Sequence, residues 1–263
     1  MNGYIDIHAH VLPGIDDGPS DLDGSLAMLR AAAQSGTTVL VATPHLRADF
    51  PDVHVHELAD RCADLRERIA GEGLGLELLC GGETTLTWAL DASDADLTAA
   101  SIGQRGTDLL IETPSTSSAG LEMLLYQVRL RGFRITLAHP ERSRDFQHDL
   151  APLARLVDQG ILLQVNADSI LGNPRRSQTA RLAEDLCRTG LAHVIASDGH
   201  RGSSWRPVTR LAEAARAAGG LVGPDRACWM TSDVPGAIVA GETLPEAPAV
   251  LMGRRRLALW PRR

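Results

Sequence analysis

Short apolar runs alternate with amphipathic segments along most of this chain. Seven of the runs are almost continuously apolar, which is typical of strands in a parallel sheet that is covered on both faces. They predict strands at residues 4–8, 38–42, 76–80, 108–111, 134–138, 162–166 and 193–196. No linker rich in Pro, Gly and Ser interrupts the series. We therefore expect one domain over residues 1–263, with about 242–263 as a C-terminal extension.

Apolar residues at helical spacing predict helices between most of these strands. The helices fall within residues 22–33, 58–69, 121–128, 153–157, 182–186 and 208–214. The first begins after a Ser20 or Asp21 cap and ends before Gly36, and the last ends before Gly219. The segment 218–263 shows no further strand–helix unit, and we expect it to pack outside the fold.

The residues that follow the strands decide which parallel fold is expected. Strand and helix repeated about seven times build either a barrel or an open, doubly wound sheet. Six of the seven strands lead into a His, Asp or Glu, and the strand at 162–166 ends in Asn166. A barrel collects functional groups from the carboxyl ends of many strands, whereas an open sheet gathers them at one switch point. We expect an α/β protein with a distorted parallel (β/α) barrel of about seven strands.

Composition agrees with a globular protein and argues against a nucleic-acid binder. Of the 263 residues, 44% are hydrophobic and 22% are charged, both ordinary values. The net charge of -7 and the aromatic share of 3% disfavour nucleic acid, whose binding needs basic surface and aromatic stacking. The basic run at 254–256 is interpreted as a solvated tail.

The cysteines and the N-terminus point to a reducing compartment. The four cysteines are far apart and form no C-x-x-C pair, so a zinc–thiolate site is not expected. The first residues lack the features of a signal peptide, and no run approaches the ~18 apolar residues that span a bilayer. We expect a cytoplasmic protein with free thiols and no membrane insertion.

Nitrogen and oxygen ligand types follow the strands from one end of the chain to the other. The series opens with Asp6-Ile7-His8-Ala9-His10 and closes with Ser197-Asp198-Gly199-His200. His8 and His10 are two residues apart, so on a strand both rings face one side and can reach one cation, while Asp6 could orient one of them. Between these ends lie Asp17, His45, Glu83, Glu112 and His139.

Some of these residues have an ordinary interpretation when each is taken alone. Asp16 and Asp17 are common turn residues, and His45 would suit a surface loop. Glu112 and His139 are more informative, because a polar group that ends an apolar strand needs a partner. The other four histidines are interpreted as structural or surface residues: His54, His56, His148 and His193.

The ligand types indicate a metal-dependent hydrolase. Oxygen and nitrogen ligands without thiolate suit Mn, Zn or Fe better than copper or an iron–sulfur cluster. Carboxylates can bridge cations about 3.5–4 Å apart, and a water between them becomes a hydroxide nucleophile near neutral pH. Such a site suits phosphoester hydrolysis, in which arginine neutralises the charge that develops on the phosphoryl group. Arg142, just past His139, and Arg206, just past His200, are the candidates for this role.

The complete motif set resembles the PHP superfamily, named for polymerase and histidinol phosphatase. The segment from His8 to Gly18 is similar to one branch, the manganese-dependent protein-tyrosine phosphatases of bacterial capsular and exopolysaccharide clusters. The resemblance continues in order through Thr43-Pro44-His45, Gly82-Glu83, Ile111-Glu112, Ala138-His139-Pro140-Glu141-Arg142, Gln164-Val165-Asn166 and Ala196-Ser197-Asp198-Gly199-His200. It covers about residues 4–241.

The resemblance implies a distorted barrel with two or three divalent metal ions, Mn being favoured over Zn or Fe. The implied ligands are His8, His10, Glu83 and Asp198 for one ion, Asp17, His45 and His200 for a second, and Glu83, Glu112 and His139 for a third. Arg142 and Arg206 would hold the phosphate. The implied substrate is a phosphotyrosine-containing protein, the tail of a bacterial tyrosine kinase of polysaccharide export.

Two other functions stay open at this point. A PHP phosphatase that acts on histidinol phosphate or another small phosphate ester would use the same ligands, although the segment 12–18 favours the tyrosine phosphatases. A metal-stabilised binding module without catalytic activity would be expected to lack some of the ligands, and none is missing.

Overall fold

The computed structural model describes residues 3–115, 120–201 and 206–251. Its strands in this part of the chain are β1 (Tyr4–Ala9), β2 (Thr37–Ala42), β3 (His45–Leu46), β4 (Glu77–Cys80), β5 (Glu83–Thr84), β6 (Asp108–Glu112), β7 (Arg134–Ala138), β8 (Leu162–Asn166) and β9 (Val194–Ala196). All seven predicted strands are among them. The two additional strands, β3 and β5, have two residues each, which is too short to show a hydrophobic pattern, and each begins with a predicted ligand.

The helices are α1 (Leu22–Gln34), α2 (Leu58–Gly71), α3 (Leu86–Asp91), α4 (Asp94–Ala100), α5 (Leu121–Leu130), α6 (Arg144–His148), α7 (Ala151–Asp158), α8 (Ala167–Leu171), α9 (Gln178–Arg188), α10 (Arg210–Val222), α11 (Pro224–Cys228) and α12 (Val234–Ala240). The six predicted helices correspond to α1, α2, α5, α7, α9 and α10. Asp21 caps α1 by accepting the Gly24 N–H over 2.8 Å. The unpredicted α3, α4, α6 and α8 have five to seven residues, too few for a clear helical period.

The strands form two parallel sheets that meet at their edges. Their orders are β1-β2-β4 and β3-β5-β6-β7-β8-β9. Along the chain β3 follows β2, and β5 follows β4, after two-residue breaks. β1 and β9 meet at a single parallel bridge between Ala9 and Gly199. The α/β class with parallel strands is confirmed, whereas the pairings within the described ranges do not form one continuous hydrogen-bonded barrel.

Glycine at one of these breaks allows the two short strands to approach each other. A Cβ at Gly82 would lie 2.5 Å from a side-chain carbon of Leu46, well inside van der Waals contact. The Glu83 N–H then donates to the Pro44 carbonyl over 3.0 Å. Gly82 therefore lets β5 lie against β3, which brings Glu83 beside His45.

Residues 218–240 pack into the core, so for this part of the segment 218–263 the expectation that it lies outside the fold was wrong. α11, a π-helical turn (Trp229–Asp233) and α12 follow one another, and Met230, Val234 and Ile238 are fully buried. The π-helical turn packs against β1 and β9, and α12 packs against β1. α10 also continues through Gly219, where the sequence predicts its end. Short helices without an intervening strand give no repeating signal, which is why the pattern misses them.

Two further expectations concern the basic run near the C-terminus and insertion into a membrane. Residues 252–263, which include the basic run at 254–256, lie outside the described residues. Within the ranges that are described, none of the helices combines the length and the apolar composition needed to cross a membrane.

Candidate metal centre

The structure brings all nine predicted ligands together where the strands end. Their ligand atoms form four overlapping groups, each with its atoms within 4.8 Å of one another. The groups are His10, Asp17, His45 and His200; His8, His10 and Asp198; His8, Glu83 and His139; and His45, Glu83 and Glu112. His10 thus also joins the Asp17 group. Glu112 groups with His45, whereas the resemblance groups it with His139.

Glu83 is the centre of this cluster and is fully buried. Its Oε1 lies 2.9 Å from His139 Nε2, and its Oε2 lies 2.9 Å from His45 Nδ1. Oε2 is also 3.4 Å from the Nε2 atoms of both His8 and His10. Burial alone would raise the pKa of this carboxyl, but His8 and the other imidazoles hold the pKa well below its usual range. One carboxylate therefore lies within 2.9–3.4 Å of four imidazoles.

A chain of buried amides fixes the orientation of His8. Asn166 Nδ2 donates to Asp198 Oδ2 over 2.6 Å, so Asn166 Oδ1 is the atom that accepts from Gln164 Nε2 over 2.8 Å. Gln164 Oε1 then accepts from His8 Nδ1 over 2.9 Å. Because an ionised carboxylate only accepts hydrogen bonds, this order assigns both amides and places the proton on His8 Nδ1. The Nε2 lone pair of His8 faces the cluster.

Asp16 has the same effect on His10. Its Oδ2 accepts from His10 Nδ1 over 2.8 Å and from the His45 N–H over 3.1 Å. His10 Nε2 then lies 3.3 Å from His8 Nε2, with Glu83 Oε2 close to both. Burial alone would lower the pKa of His10, but Asp16 and Glu83 raise it to about 10. The surroundings thus strongly favour a positive charge at this point.

Asp17, His45 and His200 form the outer part of the cluster. His200 Nδ1 donates to the Asp198 carbonyl over 2.8 Å, which leaves Nε2 3.1 Å from Asp17 Oδ1. His45 Nε2 is 3.4 Å from the same oxygen, and its ring stacks on Phe50. The Asp17 side chain is 31% exposed. Burial would raise the pKa of Asp17, but His200 and its neighbours lower it to about 2.

Glu112 is shared between the cluster and the surface. Its side chain is 23% exposed, and its Oε2 lies 2.8 Å from Arg47 Nη1. Arg47 also pairs with Asp49 over 2.6 Å. A cation near Glu112 would therefore compete with an arginine for this carboxylate.

The two predicted arginines meet at the outer oxygen of Asp198. Arg142 Nη1 is 3.4 Å from Asp198 Oδ2, and Arg206 Nη1 bonds to the same oxygen. The inner oxygen, Oδ1, faces His8 Nε2 at 3.5 Å. Arg142 is 48% exposed and Arg206 is 12% exposed. Both guanidinium groups thus border the cluster, and that of Arg142 is open to solvent.

Backbone strain coincides with the predicted site. His139, Asp198 and Arg206 have φ angles of 40°, 50° and 45°, in the left-handed region that costs a non-glycine residue on the order of 1 kcal/mol or more. Within the described ranges, Gln104 is the one other non-glycine residue with a positive φ. Strain gathered at residues of the site indicates that their placement serves function.

The donor set fits divalent cations. Buried oxygens of the cluster, Asp17 Oδ1, Glu83 Oε2 and Asp198 Oδ1, accept no hydrogen bond within the described ranges. They lie 3.1–3.7 Å from the Nε2 atoms of His8, His10 and His200, and buried acceptors without a donor are costly. Cations among them would satisfy nitrogen and oxygen ligands together. The ligands are carboxylate and imidazole, the types that suit Mn, Zn or Fe.

Several supporting residues were not predicted for these roles. The polar residues Gln164 and Asn166 are two apart on the buried strand β8, so they share a face, and this pattern could have indicated their role. Buried Glu141 holds the Asn166 N–H over 2.9 Å, and burial raises its pKa. Asp6 accepts the N–H groups of His8 and Ser197 rather than a ring nitrogen, so it ties β1 to the end of β9.

His193, His56 and the four cysteines lie outside the cluster and suit structural or surface roles. His193 packs against Trp229 with ring centroids 5.9 Å apart, and exposed His56 pairs with Asp96. The four cysteines are free, as expected: Cys62, Cys80 and Cys187 are buried, and Cys228 is exposed. Burial raises the pKa of Cys187 to about 12, so this thiol is not activated as a nucleophile.

Known proteins share both the sequence pattern and the fold. Tyrosine-protein phosphatase YwqE of Bacillus subtilis is 32% identical over 203 residues, which are 74% of this chain and 77% of that protein. Putative tyrosine-protein phosphatase CapC of Staphylococcus aureus is 30% identical over 197 residues, 74% of this chain and 76% of that protein.

One similar solved structure has a TM-score of 0.77 to this chain. It is described as one of "YwqE from Bacillus subtilis and CpsB from Streptococcus pneumoniae, unique metal-dependent tyrosine phosphatases". It is 27% identical and covers 95% of this chain and 100% of its own. The pattern of the family described as "Capsular polysaccharide synthesis, CpsB/CapC" matches residues 4–239. The resemblance seen in the motifs is therefore confirmed, and the chain belongs to the CpsB/CapC family.

Proposed function

We propose that this protein is a metal-dependent protein-tyrosine phosphatase of the cytoplasm. Its substrate is a phosphotyrosine-containing protein of capsule or exopolysaccharide synthesis, and we favour the tail of a bacterial tyrosine kinase. The observation that carries the proposal is the convergence of the predicted ligands around Glu83, beside Arg142 and Arg206. The names of the similar proteins from B. subtilis and S. aureus support tyrosine phosphatase over histidinol phosphatase.

The cofactor we propose is a set of two or three divalent cations, Mn by preference. The ligands would be His8, His10, Asp17, His45, Glu83, Glu112, His139, Asp198 and His200. When bound, the cations would neutralise phosphoryl oxygens and make a water nucleophilic near neutral pH. We also propose that the two parallel sheets form one distorted barrel within a single domain.

The chain's own groups provide orientation and fixed charge. Gln164 and Asp16 hold His8 and His10 with their Nε2 lone pairs towards the cluster. Arg142 and Arg206 place positive charge at the edge of the cluster, where a phosphoryl group would accumulate negative charge. A tyrosinate leaving group, with an unperturbed pKa near 10, needs less protonation than an alkoxide. An aryl phosphate therefore places a smaller demand on a general acid than an alkyl phosphate does.

The test is turnover of a phosphotyrosine peptide beside histidinol phosphate and a nucleoside monophosphate, each with added Mn. We expect the peptide to have the highest kcat/KM, a strong chelator to abolish turnover and Mn to restore it. A variant in which all four cysteines are replaced by Ser or Ala should keep its activity if it folds. Preference for histidinol phosphate, or turnover that persists without metal, would overturn the proposal.

A further inference from the structure

A cleft of about 390 Å³ opens beside the cluster. This volume lies at the lower end of the ~300–1,000 Å³ usual for ligand sites, so it suits a side chain and its neighbours in a flexible peptide. One wall is formed by Arg142, Asn166 and Arg206, the three residues that bond to Asp198 Oδ2. The cleft thus begins where a phosphate would lie.

A second part of the lining comes from α8, α9 and the segment that joins them. It includes Asp168, Ser169, Gly172, Ser177, Thr179 and Ala180. Apart from Asp168 these residues are small and uncharged. Two of the hydroxyl groups already have partners, since Ser177 Oγ accepts the Ala180 N–H and Thr179 Oγ1 accepts from Gln147. The charge on this wall is therefore that of Asp168.

The Asp168 carboxylate is 37% exposed and only loosely neutralised. Its Oδ1 lies 3.4 Å from Arg210 Nε, whereas Arg210 Nη1 bonds to Glu213 at 2.8 Å. Arg210 is thus shared between two acids, and the contact to Asp168 is the longer one. Asp168 therefore places a negative charge on the cleft lining, where Arg210 and Arg206 both act on it electrostatically.

We infer that this cleft is a substrate subsite in which Asp168 favours a basic residue beside the phosphotyrosine and disfavours an acidic one. The inference rests on the proposed function. A phosphate held near Arg142 and Arg206 directs the adjoining part of the substrate along the cleft towards Asp168. There a cationic side chain finds a partner, while an anionic one meets a like charge.

The test compares two phosphotyrosine peptides of equal length, one with Lys and one with Glu on both sides of the phosphotyrosine. In the Mn-loaded enzyme, we expect kcat/KM to be higher for the Lys peptide. Asp168→Asn should reduce the Lys/Glu ratio by roughly three- to tenfold, the scale of losing one attractive and one repulsive partly exposed charge contact. The change should appear in KM, because Asp168 does not contact the reacting phosphoryl group.

Two further variants isolate the charge of Asp168. Arg210→Gln removes its counter-ion and should increase the Lys/Glu ratio, opposite to the effect of Asp168→Asn. Glu213→Gln removes the acid that competes for Arg210, so Arg210 should pair more closely with Asp168 and the ratio should decrease. An equal ratio in the unmodified protein and both Asp168→Asn and Arg210→Gln would overturn this inference alone. No turnover of either peptide would overturn the proposed function as well.

Discussion

The cluster has two sides that differ in how firmly their ligands are held. On the inner side His8, His10 and Glu83 are fully buried, and both imidazoles are oriented by hydrogen bonds to Gln164 and Asp16. The outer carboxylates are partly exposed. The difference indicates that the inner ligands are oriented before a cation binds. The outer carboxylates must first lose contacts with water or with other residues.

The outer carboxylates also differ from each other. Asp17 faces two imidazoles, His45 and His200, while Glu112 is bonded to Arg47. A cation at Glu112 would therefore displace an existing ion pair. We expect cations to bind most weakly, and to exchange most readily, on the Glu112 side.

The largest effect should come from Glu83→Gln. The substitution keeps size but removes the charge shared by the surrounding imidazoles, so Mn affinity should fall by more than the ~10–100-fold typical of a residue that merely orients a ligand. Turnover should be lost with it. Glu112→Gln, the matched change on the outer side, should weaken Mn binding less. Elemental analysis and Mn titration measure both, and an equal loss in the two variants would contradict the distinction between the two sides.

Arg142→Ala tests the edge of the cluster without touching a proposed ligand. The kcat for a phosphotyrosine peptide should fall by roughly a hundredfold or more, the scale of losing one preorganised donor to developing charge. Mn content should stay the same, because arginine does not ligate. The control is Arg144→Ala, an exposed arginine two residues away. A near-normal kcat, or a loss of Mn, would remove Arg142 from the proposed role.

Gln164→Ala sharpens the comparison by loosening one inner ligand. His8 loses the acceptor of its Nδ1 proton, so Mn affinity should fall by about 10–100-fold, with kcat largely restored at saturating Mn. Gln164→Glu keeps an acceptor for His8 and should recover part of the affinity. If calorimetric titration gives the same affinity for Gln164→Ala as for the unmodified protein, Gln164 does not organise the inner side.

A substitution of His193 should affect the site least, because this residue lies outside both sides of the cluster. Its expected effect is on the free energy of unfolding. Burial, with a contribution from Arg226, lowers its pKa to about 4 from 6.5. The unfolded chain therefore binds a proton below pH 6.5 that the folded chain does not bind until about pH 4. This group's contribution is complete above pH 6.5 and should fall by on the order of 2–3 kcal/mol as the pH falls to about 4. Urea unfolding of the metal-free protein measures this effect. The free energy of unfolding of His193→Asn should depend less steeply on pH than that of the unmodified protein. An unchanged pH dependence would contradict the lowered pKa of His193.

The longer strands and the residues that cluster at their ends could be predicted because their signals are local. A continuous apolar run that ends in a polar residue is visible in a few residues, as at Ile111-Glu112 and Ala138-His139. β3 and β5 were missed because two residues carry no period. Residues 218–240 were misplaced because their burial depends on packing against β1 and β9, which the local pattern does not contain.

The sequence by itself determined the parallel α/β class, the seven longer strands and the family that the motifs indicate. Only the tertiary structure decided which atoms meet. Gln164 orients His8 although the two residues are 156 positions apart in the sequence. Asp16, which taken alone is interpreted as a turn residue, is the hydrogen-bond partner of His10. The tautomer of a histidine depends on the hydrogen-bond partner of its other nitrogen, and that partner is set by the spatial order of strands rather than by spacing along the chain.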